Sequence, residues 1–287
     1  MLYVQAEPVF VDLESLDVPH MSLEKARRSI TLRTKAIIIM HYGGYLMDMP
    51  AWRELADAHG LILIEDAAHA PGLKGVGSYS HAAAFSFYSN KNMTSGEGGM
   101  LLVHDPATEK RLRLLRSHGM TTTTLERDQG HAFEYDVVEL GFNYRMDELR
   151  AAVGLVQLEA LSRRNRRRKE LSARYRAVFS QEDRIFIPFS DEWQHCGHIM
   201  PVLLPEGAYR PDVMASLRER GVQSSVHYRP IHTLTQYRRR SSVLVCLPLT
   251  EDFGNRVLTI PLHPDMVDED VDYVAANLIS ILNAHLV

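Results

Sequence analysis

Asp66 closes an apolar run, Leu61-Ile-Leu-Ile-Glu-Asp66, and Lys91 follows twenty-five residues later in Ser86-Phe-Tyr-Ser-Asn-Lys-Asn-Met-Thr-Ser-Gly-Glu-Gly-Gly99. A carboxylate and an amine that each follow a buried strand can together hold an aldehyde cofactor with a basic ring nitrogen. The lysine condenses with the aldehyde as a Schiff base and the carboxylate pairs with the ring nitrogen, which is what a pyridoxal phosphate (PLP) enzyme needs. The Asn, Thr, Ser and Gly residues around Lys91 leave room for a bulky group and supply hydrogen bonds to it. Taken singly, a strand-end aspartate more often caps a turn and a loop lysine is more often solvated. The pairing matters because Asp66, His69, Ser86 and Lys91 all fall at or just after strand ends, and open α/β sheets bind ligands outside the carboxyl ends of their strands.

The elements that must position these residues are legible as short apolar runs alternating with amphipathic stretches, the pattern of helices on a mostly parallel sheet. Residues 34–40, with three consecutive isoleucines, read as a buried strand. Asp48 caps a helix over 50–59 and Gly60 stops it. Strands follow at 61–65, at 82–87 and at 99–104, the last as the antiparallel return of a local pair. Asp105-Pro106 opens a helix through 116. Residues 121–130 read as a polar loop. Met146, Leu149, Val153, Val156 and Ala160 then recur at helical spacing, marking a long helix with one apolar face that runs to about 179. A domain boundary is expected within it, dividing 1–165 from 166–287. Beyond it come a strand near 198–204, a helix near 211–220, a strand over 222–228 and a terminal helix from about 267, which together read as a smaller α/β domain.

A chain of 287 residues with 45% hydrophobic and 24% charged residues is long enough to bury two cores and matches no disordered or fibrous class. A net charge of -4 argues against a general nucleic-acid binder. The basic run Arg163-Arg-Asn-Arg-Arg-Arg-Lys169 reads as the solvated face of a helix. Cys196 and Cys246 form neither a disulfide framework nor a zinc knuckle, and no His-x-x-x-His motif accompanies the fourteen histidines, so no metal is expected. Gly72-x-x-Gly75-x-Gly77 does not fit a dinucleotide fingerprint. No apolar run approaches the roughly 20 residues of a membrane span, so a cytoplasmic protein is expected.

Six segments carry a specific resemblance: Phe10-Val-Asp12, Glu65-Asp-Ala-Ala-His-Ala70, Phe85-Ser-Phe87, Lys91-Asn-Met-Thr-Ser-Gly-Glu-Gly-Gly99, Gly141-Phe-Asn-Tyr-Arg-Met146 and His227-Tyr-Arg-Pro-Ile-His232. In this order they resemble the DegT/DnrJ/StrS family of PLP-dependent sugar aminotransferases. The resemblance implies a fold type I large domain with a mostly parallel sheet and a smaller carboxyl-terminal α/β domain. It implies that Lys91 binds the PLP aldehyde, that Asp66 binds the pyridine nitrogen and that Ser86 binds the phosphate. His69 stands where many members carry Gln near the cofactor's 3-hydroxyl, and since only His titrates near neutrality, an altered pH profile is expected. Asn143 matches the residue that reaches the phosphate from a neighbouring subunit, implying a homodimer with shared active sites. His227, Tyr228 and His232 match the substrate end of the pocket.

The implied reaction moves an amino group from an amino acid, glutamate by resemblance, to a keto-sugar carried on a nucleoside diphosphate. Because Lys91 is present, transamination is favoured over the lysine-free dehydration known in the family. The resemblance begins inside the large domain, just before Pro8. The segment with which the family adds a phosphate-binding helix start and a ring-stacking aromatic has no match, and the alternative expectation is a non-catalytic chain that keeps the fold and binds PLP poorly.

Overall fold

A computed structural model describes residues 1–121, 134–190, 192–239 and 245–285. The polar loop expected over 121–130 lies outside them beyond Thr121. A first sheet holds β1 (Ala36–Met40), β2 (Ile62–Asp66), β3 (Ala82–Ser86) and β4 (Gly99–Val103) in that spatial order. β1, β2 and β3 are parallel, and β4 returns antiparallel on β3 with Ser86 opposite Gly99. Parallel neighbours need a crossover. Helix α1 (Leu23–Ser29) precedes β1, and α2 (Met49–Ala58) carries the chain from β1 to β2. The Asp48 carboxylate accepts the Ala51 N–H at the start of α2, and Gly60, in the left-handed region, follows its end. Helix α3 (Pro106–Leu115) is capped by Asp105, which accepts the Thr108 N–H at 2.8 Å.

The long helix α4 (Glu148–Phe179) begins at its cap Asp147 and changes character along its length. From Leu161 onward it is anchored by buried Leu161, Asn165, Arg168, Leu171, Tyr175 and Phe179. Its first half leaves Leu149, Val153 and Val156 exposed, with Met146 just before it. The basic run is therefore more than a solvated face. Arg168 is buried, giving its Nη1 to the Leu262 and His198 carbonyls, and Arg167 pairs with Asp268 at 2.9 Å.

The second sheet pairs β5 (Met200–Leu203) with β6 (Val257–Ile260) antiparallel. Around it lie α5 (Arg210–Glu219), the single turn α6 (Thr235–Arg238), α7 (Pro248–Arg256) and α8 (Asp268–His285). The strand expected over 222–228 is reduced to one bridge, Ser225 to Thr259 on the free edge of β6. Beyond it the Tyr42 hydroxyl donates to the His227 carbonyl at 2.5 Å, engaging a backbone acceptor that a longer ladder could use, and the His227 ring turns to the Thr259 hydroxyl at 2.9 Å. One core joins the second half of α4 to β5, β6, α5 and α8 through Leu171, Val202, Leu217, Leu258 and Leu278. A second packs Ile37, Ile39 and Leu63 of the first sheet on Trp52 and Leu55 of α2. A third, with Tyr42, Tyr45, Ile199, Phe253 and Val257, draws on both halves of the chain.

Asp12 of the Phe10-Val-Asp12 segment ties these halves together. Its carboxylate accepts the Thr250 N–H at 2.8 Å, the Thr250 hydroxyl at 2.6 Å and the Leu249 N–H at 3.3 Å, capping α7 from far away in sequence. Burial opposes its charge, but the bonds from Thr250, Leu13 and Leu249 outweigh that and hold its pKa below the ordinary carboxylate value. The resulting stabilisation is present above the ordinary carboxylate pKa and is lost as pH falls through the depressed one. Asp12→Ala is expected to lower stability by about 2 kcal/mol at neutral pH, the range of a lost cap with charged hydrogen bonds. Urea titration checks this: an unchanged midpoint at pH 7, or a deficit that persists undiminished in acid, contradicts the assignment.

Candidate active site

The site forms at the carboxyl ends of β1 and β2 and on the loop that joins β3 to β4. Strand alternation sends Glu65 and Asp66 to opposite faces. Glu65 is fully buried, its Oε2 2.7 Å from His41 Nε2, and both its oxygens accept the Gly77 N–H at 3.0 Å. The Met47 N–H donates to His41 Nδ1, so His41 donates to Glu65 from Nε2. Burial raises the Glu65 pKa, yet the bonds from His41, Ser80 and Gly77 leave it below the ordinary value. Asp66, next along and partly buried, accepts the Ala68 N–H through Oδ1 at 3.1 Å, while the His41 N–H takes its carbonyl at 3.2 Å.

His69 is buried on the turn that follows. The Gly43 N–H donates to its Nδ1 at 3.3 Å, so its proton sits on Nε2 and is given to the Tyr228 hydroxyl at 2.7 Å. Gly44 makes this approach possible. It holds φ +81°, and a Cβ there would stand 2.6 Å from both Cys196 Sγ and the His69 carbonyl oxygen. The His198 ring lies 4.1 Å from the His69 ring between centroids. Burial first, then the charge of Lys91 and the nearby His227, push the His69 pKa down to about 3. His198 and His227 are likewise lowered, chiefly by burial. Three imidazoles therefore surround the lysine as neutral groups.

Lys91 is partly buried, and burial lowers its pKa while the charge of Asp66 acts in the opposite sense. Tyr228 is pushed up to about 12 by burial and then by Asp66, so its hydroxyl stays protonated. Lys91 and His227 also face a cavity of about 910 Å³, walled in addition by Arg168, His198, Gln223 and Thr259; Asp66 and His69 are not on its wall.

The structure thus gathers Asp66, His69, Lys91, His227 and Tyr228 into one polar cluster. Ser86 ends β3, where its Oγ accepts the Tyr88 N–H at 3.3 Å. Asn143 and His232 are engaged elsewhere. Asn143 lies on an exposed segment bridged to Ser117 and accepts the Arg145 N–H, while His232 is buried with Nε2 3.0 Å from Glu251 and its ring against Phe10. Sequence reasoning missed the partners that fix the cluster: His41, Tyr42, Asn92, Asn165 and His198. The usable signal was a local one, since His41 and Tyr42 end the isoleucine strand just as Asp66 ends the next.

The profile of the DegT/DnrJ/EryC1/StrS aminotransferase family matches residues 1–279. The chain belongs to this family. Its fold is that of PLP-dependent sugar aminotransferases, α/β with a mixed, mostly parallel sheet. The structure of Helicobacter pylori PseC, an aminotransferase involved in the biosynthesis of pseudoaminic acid, superimposes with a TM-score of 0.90 at 25% identity over 99% of this chain and 76% of PseC. Streptococcus pneumoniae Spr1654, assigned as a sugar aminotransferase, matches in its PLP form with a TM-score of 0.89 at 28% identity, over 100% of this chain and 78% of Spr1654. The aminotransferase TlmJ of Streptoalloteichus hindustanus gives 0.87 at 29% identity over 98% of this chain and 75% of its own.

The geometry revises one expectation about pH. A histidine at position 69 was expected to titrate near neutrality, but its burial beside Lys91 takes it out of that range. The unfolded imidazole, ordinary near 6.5, takes up a proton that the folded one refuses, so stability is full above that pH and falls on acidification. In a chain with 15N-labelled histidine, the His69 signals, assigned with His69→Gln, are expected to remain those of a neutral Nε2–H ring from about pH 8 to about pH 5. A titration centred near the ordinary histidine value would contradict this account.

Proposed function

We propose that the chain is a PLP-dependent aminotransferase that moves an amino group from glutamate to the keto carbon of a sugar carried on a nucleoside diphosphate. The observation that carries the reading is Lys91, an amine made less basic by burial, beside the Asp66 carboxylate and on the wall of a cavity large enough for a sugar. These residues suit PLP. Lys91 would hold the aldehyde, Asp66 would accept the hydrogen bond of the protonated ring nitrogen, Ser86 would meet the phosphate, and His69 would lie near the 3-hydroxyl. Bound there, PLP supplies an electron sink for a carbon that loses a proton.

The rest of the work belongs to the side chains. Lys91, with its depressed pKa, can take a proton from one carbon and return it to another atom near neutral pH. The Asp66 carboxylate would keep the ring nitrogen charged through a charge-assisted bond. Neutral His69 and protonated Tyr228 add hydrogen-bonding capacity without adding positive charge that would compete for Asp66. His227 and Tyr228 would border the sugar, and buried His232, paired to Glu251, would hold the turn that carries them. We place the division between the cofactor-binding and smaller domains near residue 165.

The same reading includes a homodimer with shared sites. Leu149, Val153, Leu155, Val156 and Leu158 are exposed on the first half of α4, and Phe142 and Tyr144 stack, also exposed, beside Asn143. Leu149, Val153 and Val156 share one side of the helix and Leu155 and Leu158 stand on the other, so apolar groups are exposed around it; exposure of this extent marks an interaction surface, and a second copy seated on it would bring Asn143 toward the neighbouring site.

Two measurements test the proposal. The purified chain with PLP is expected to show a visible absorbance band that Lys91→Ala abolishes and glutamate bleaches; Asp66→Asn should slow amino transfer by on the order of 100-fold while changing PLP affinity less. Absence of a lysine-dependent band would sink the enzymatic reading and leave a chain that keeps the fold without the cofactor. In sedimentation velocity, the chain should run as a dimer and Val156→Glu as a monomer. A monomeric parent chain would overturn the shared site.

A further inference from the structure

The loop between β3 and β4 gives Lys91 one internal backbone bond, its N–H to the Tyr88 carbonyl at 3.0 Å. The next residue does far more. Asn92 is buried, and its Nδ2 donates both to Asn165 Oδ1 at 2.9 Å and to the Cys196 carbonyl at 3.1 Å. Its Oδ1 lies 2.9 Å from His198 Nδ1. The orientation of this amide is determined by its surroundings: Asn165 spends its own Nδ2 on the Pro71 carbonyl at 2.9 Å, so it can only present oxygen to Asn92. Asn92 must then turn its nitrogen to Asn165 and Cys196, its oxygen to His198, and His198 must carry its proton on Nδ1. Both N–H donors and the oxygen are used.

These three anchors lie on two separate parts of the chain, Asn165 on α4 and Cys196 and His198 on the segment that leads into β5. They also lead back to the site, since the His198 ring packs on His69 and Cys196 gives its thiol proton to the His69 carbonyl at 3.0 Å.

We propose that Asn92 is the positioning residue for Lys91, holding the lysine loop against α4 and the 196–198 segment so that the amine stays at its half-buried place beside Asp66. The inference rests on the reading of Lys91 as the working amine. No shorter-chained or charged residue does the same: alanine frees all three anchors at once, and a carboxylate would set oxygen against Asn165 Oδ1 and the Cys196 carbonyl. A network of this kind holds only when every member is satisfied.

The test uses the full chain without PLP, so its outcome is independent of whether Lys91 takes up the cofactor. Trace acetylation across pH, read by mass spectrometry, gives the midpoint at which Lys91 becomes reactive, with exposed Lys74 and Lys110 as internal references. In the parent chain Lys91 should react at lower pH than the references. In Asn92→Ala, and in Asn165→Ala, which breaks the network from the far side, the Lys91 midpoint is expected to rise toward theirs by about one pH unit as the amine gains solvent. A role in packing alone would leave it in place, so an unchanged midpoint in a variant with parental circular dichroism overturns the proposal. Should neither variant fold, the parent chain still decides, because 15N shifts of labelled histidine report the His198 tautomer. A proton on Nδ1 supports the network, and a proton on Nε2 refutes it.

Discussion

The buried pair of His41 and Glu65 is the constraint on which the site depends. Both side chains are completely removed from solvent, and Glu65 is satisfied by His41 and the Gly77 N–H, with Ser80 adding to them. A buried carboxylate deprived of its partner costs roughly 3–5 kcal/mol. The end of β1, the end of β2 and the loop that leads into β3 must therefore come together in one arrangement. Asp66 follows Glu65 directly, and its carbonyl receives the His41 N–H, so the residue that faces the site inherits its direction from the residue that faces away from it. His104 extends the same knot, its Nε2 2.6 Å from the Gly77 carbonyl, and so ties the end of β4 to the loop.

On the other side of the sheet the electrostatics follow from burial. His69, His198 and His227 crowd around one lysine, and each would carry a charge in mildly acidic water. Desolvation and the lysine's own charge keep all three neutral, which leaves Asp66 and Lys91 as the opposed charges of the cluster. Neutral rings can also be hydrogen-bonded in one sense only. Gly43 fixes the proton of His69 on Nε2 and Asn92 fixes that of His198 on Nδ1, so two histidines in ring contact hold opposite tautomers because different partners claim their Nδ1 atoms.

Much of this was legible in the sequence because it is local. A strand of isoleucines, an aspartate ending the next apolar run, Asp48 before Pro50 and Asp105 before Pro106 all depend on neighbours a few residues away, and the elements they mark form as read. What was not legible depends on contacts far apart in the chain. Asn92 reads as one more small polar residue beside Lys91 until α4 brings Asn165 to it across 73 positions, and His69 reads as a titrating histidine until Tyr228 meets it across 159. The strand expected over 222–228 has the right alternation, but Tyr42, 185 positions away, engages the His227 carbonyl. β6, only four residues long and buried throughout, was too short to separate from the end of α7 by periodicity.

Helix α4 shows the limit most directly. Its apolar spacing at Met146, Leu149, Val153 and Val156 was readable, and the natural expectation is that such a face packs inside the same chain. The structure instead buries the second half of the helix and exposes the first. Periodicity reports that a face is apolar; it does not say whose surface covers it. Most of the buried residues of the helix fall within 161–179, where Leu161 packs with Phe87 and Met93 and Leu171 joins the core of the smaller sheet. The exposed half is thus held in helical form by the buried half, as a rigid extension that presents Leu149, Val153 and Val156 at fixed spacing. Apolar spacing along a helix therefore decides where side chains stand relative to one another, while burial is decided by which other elements reach them.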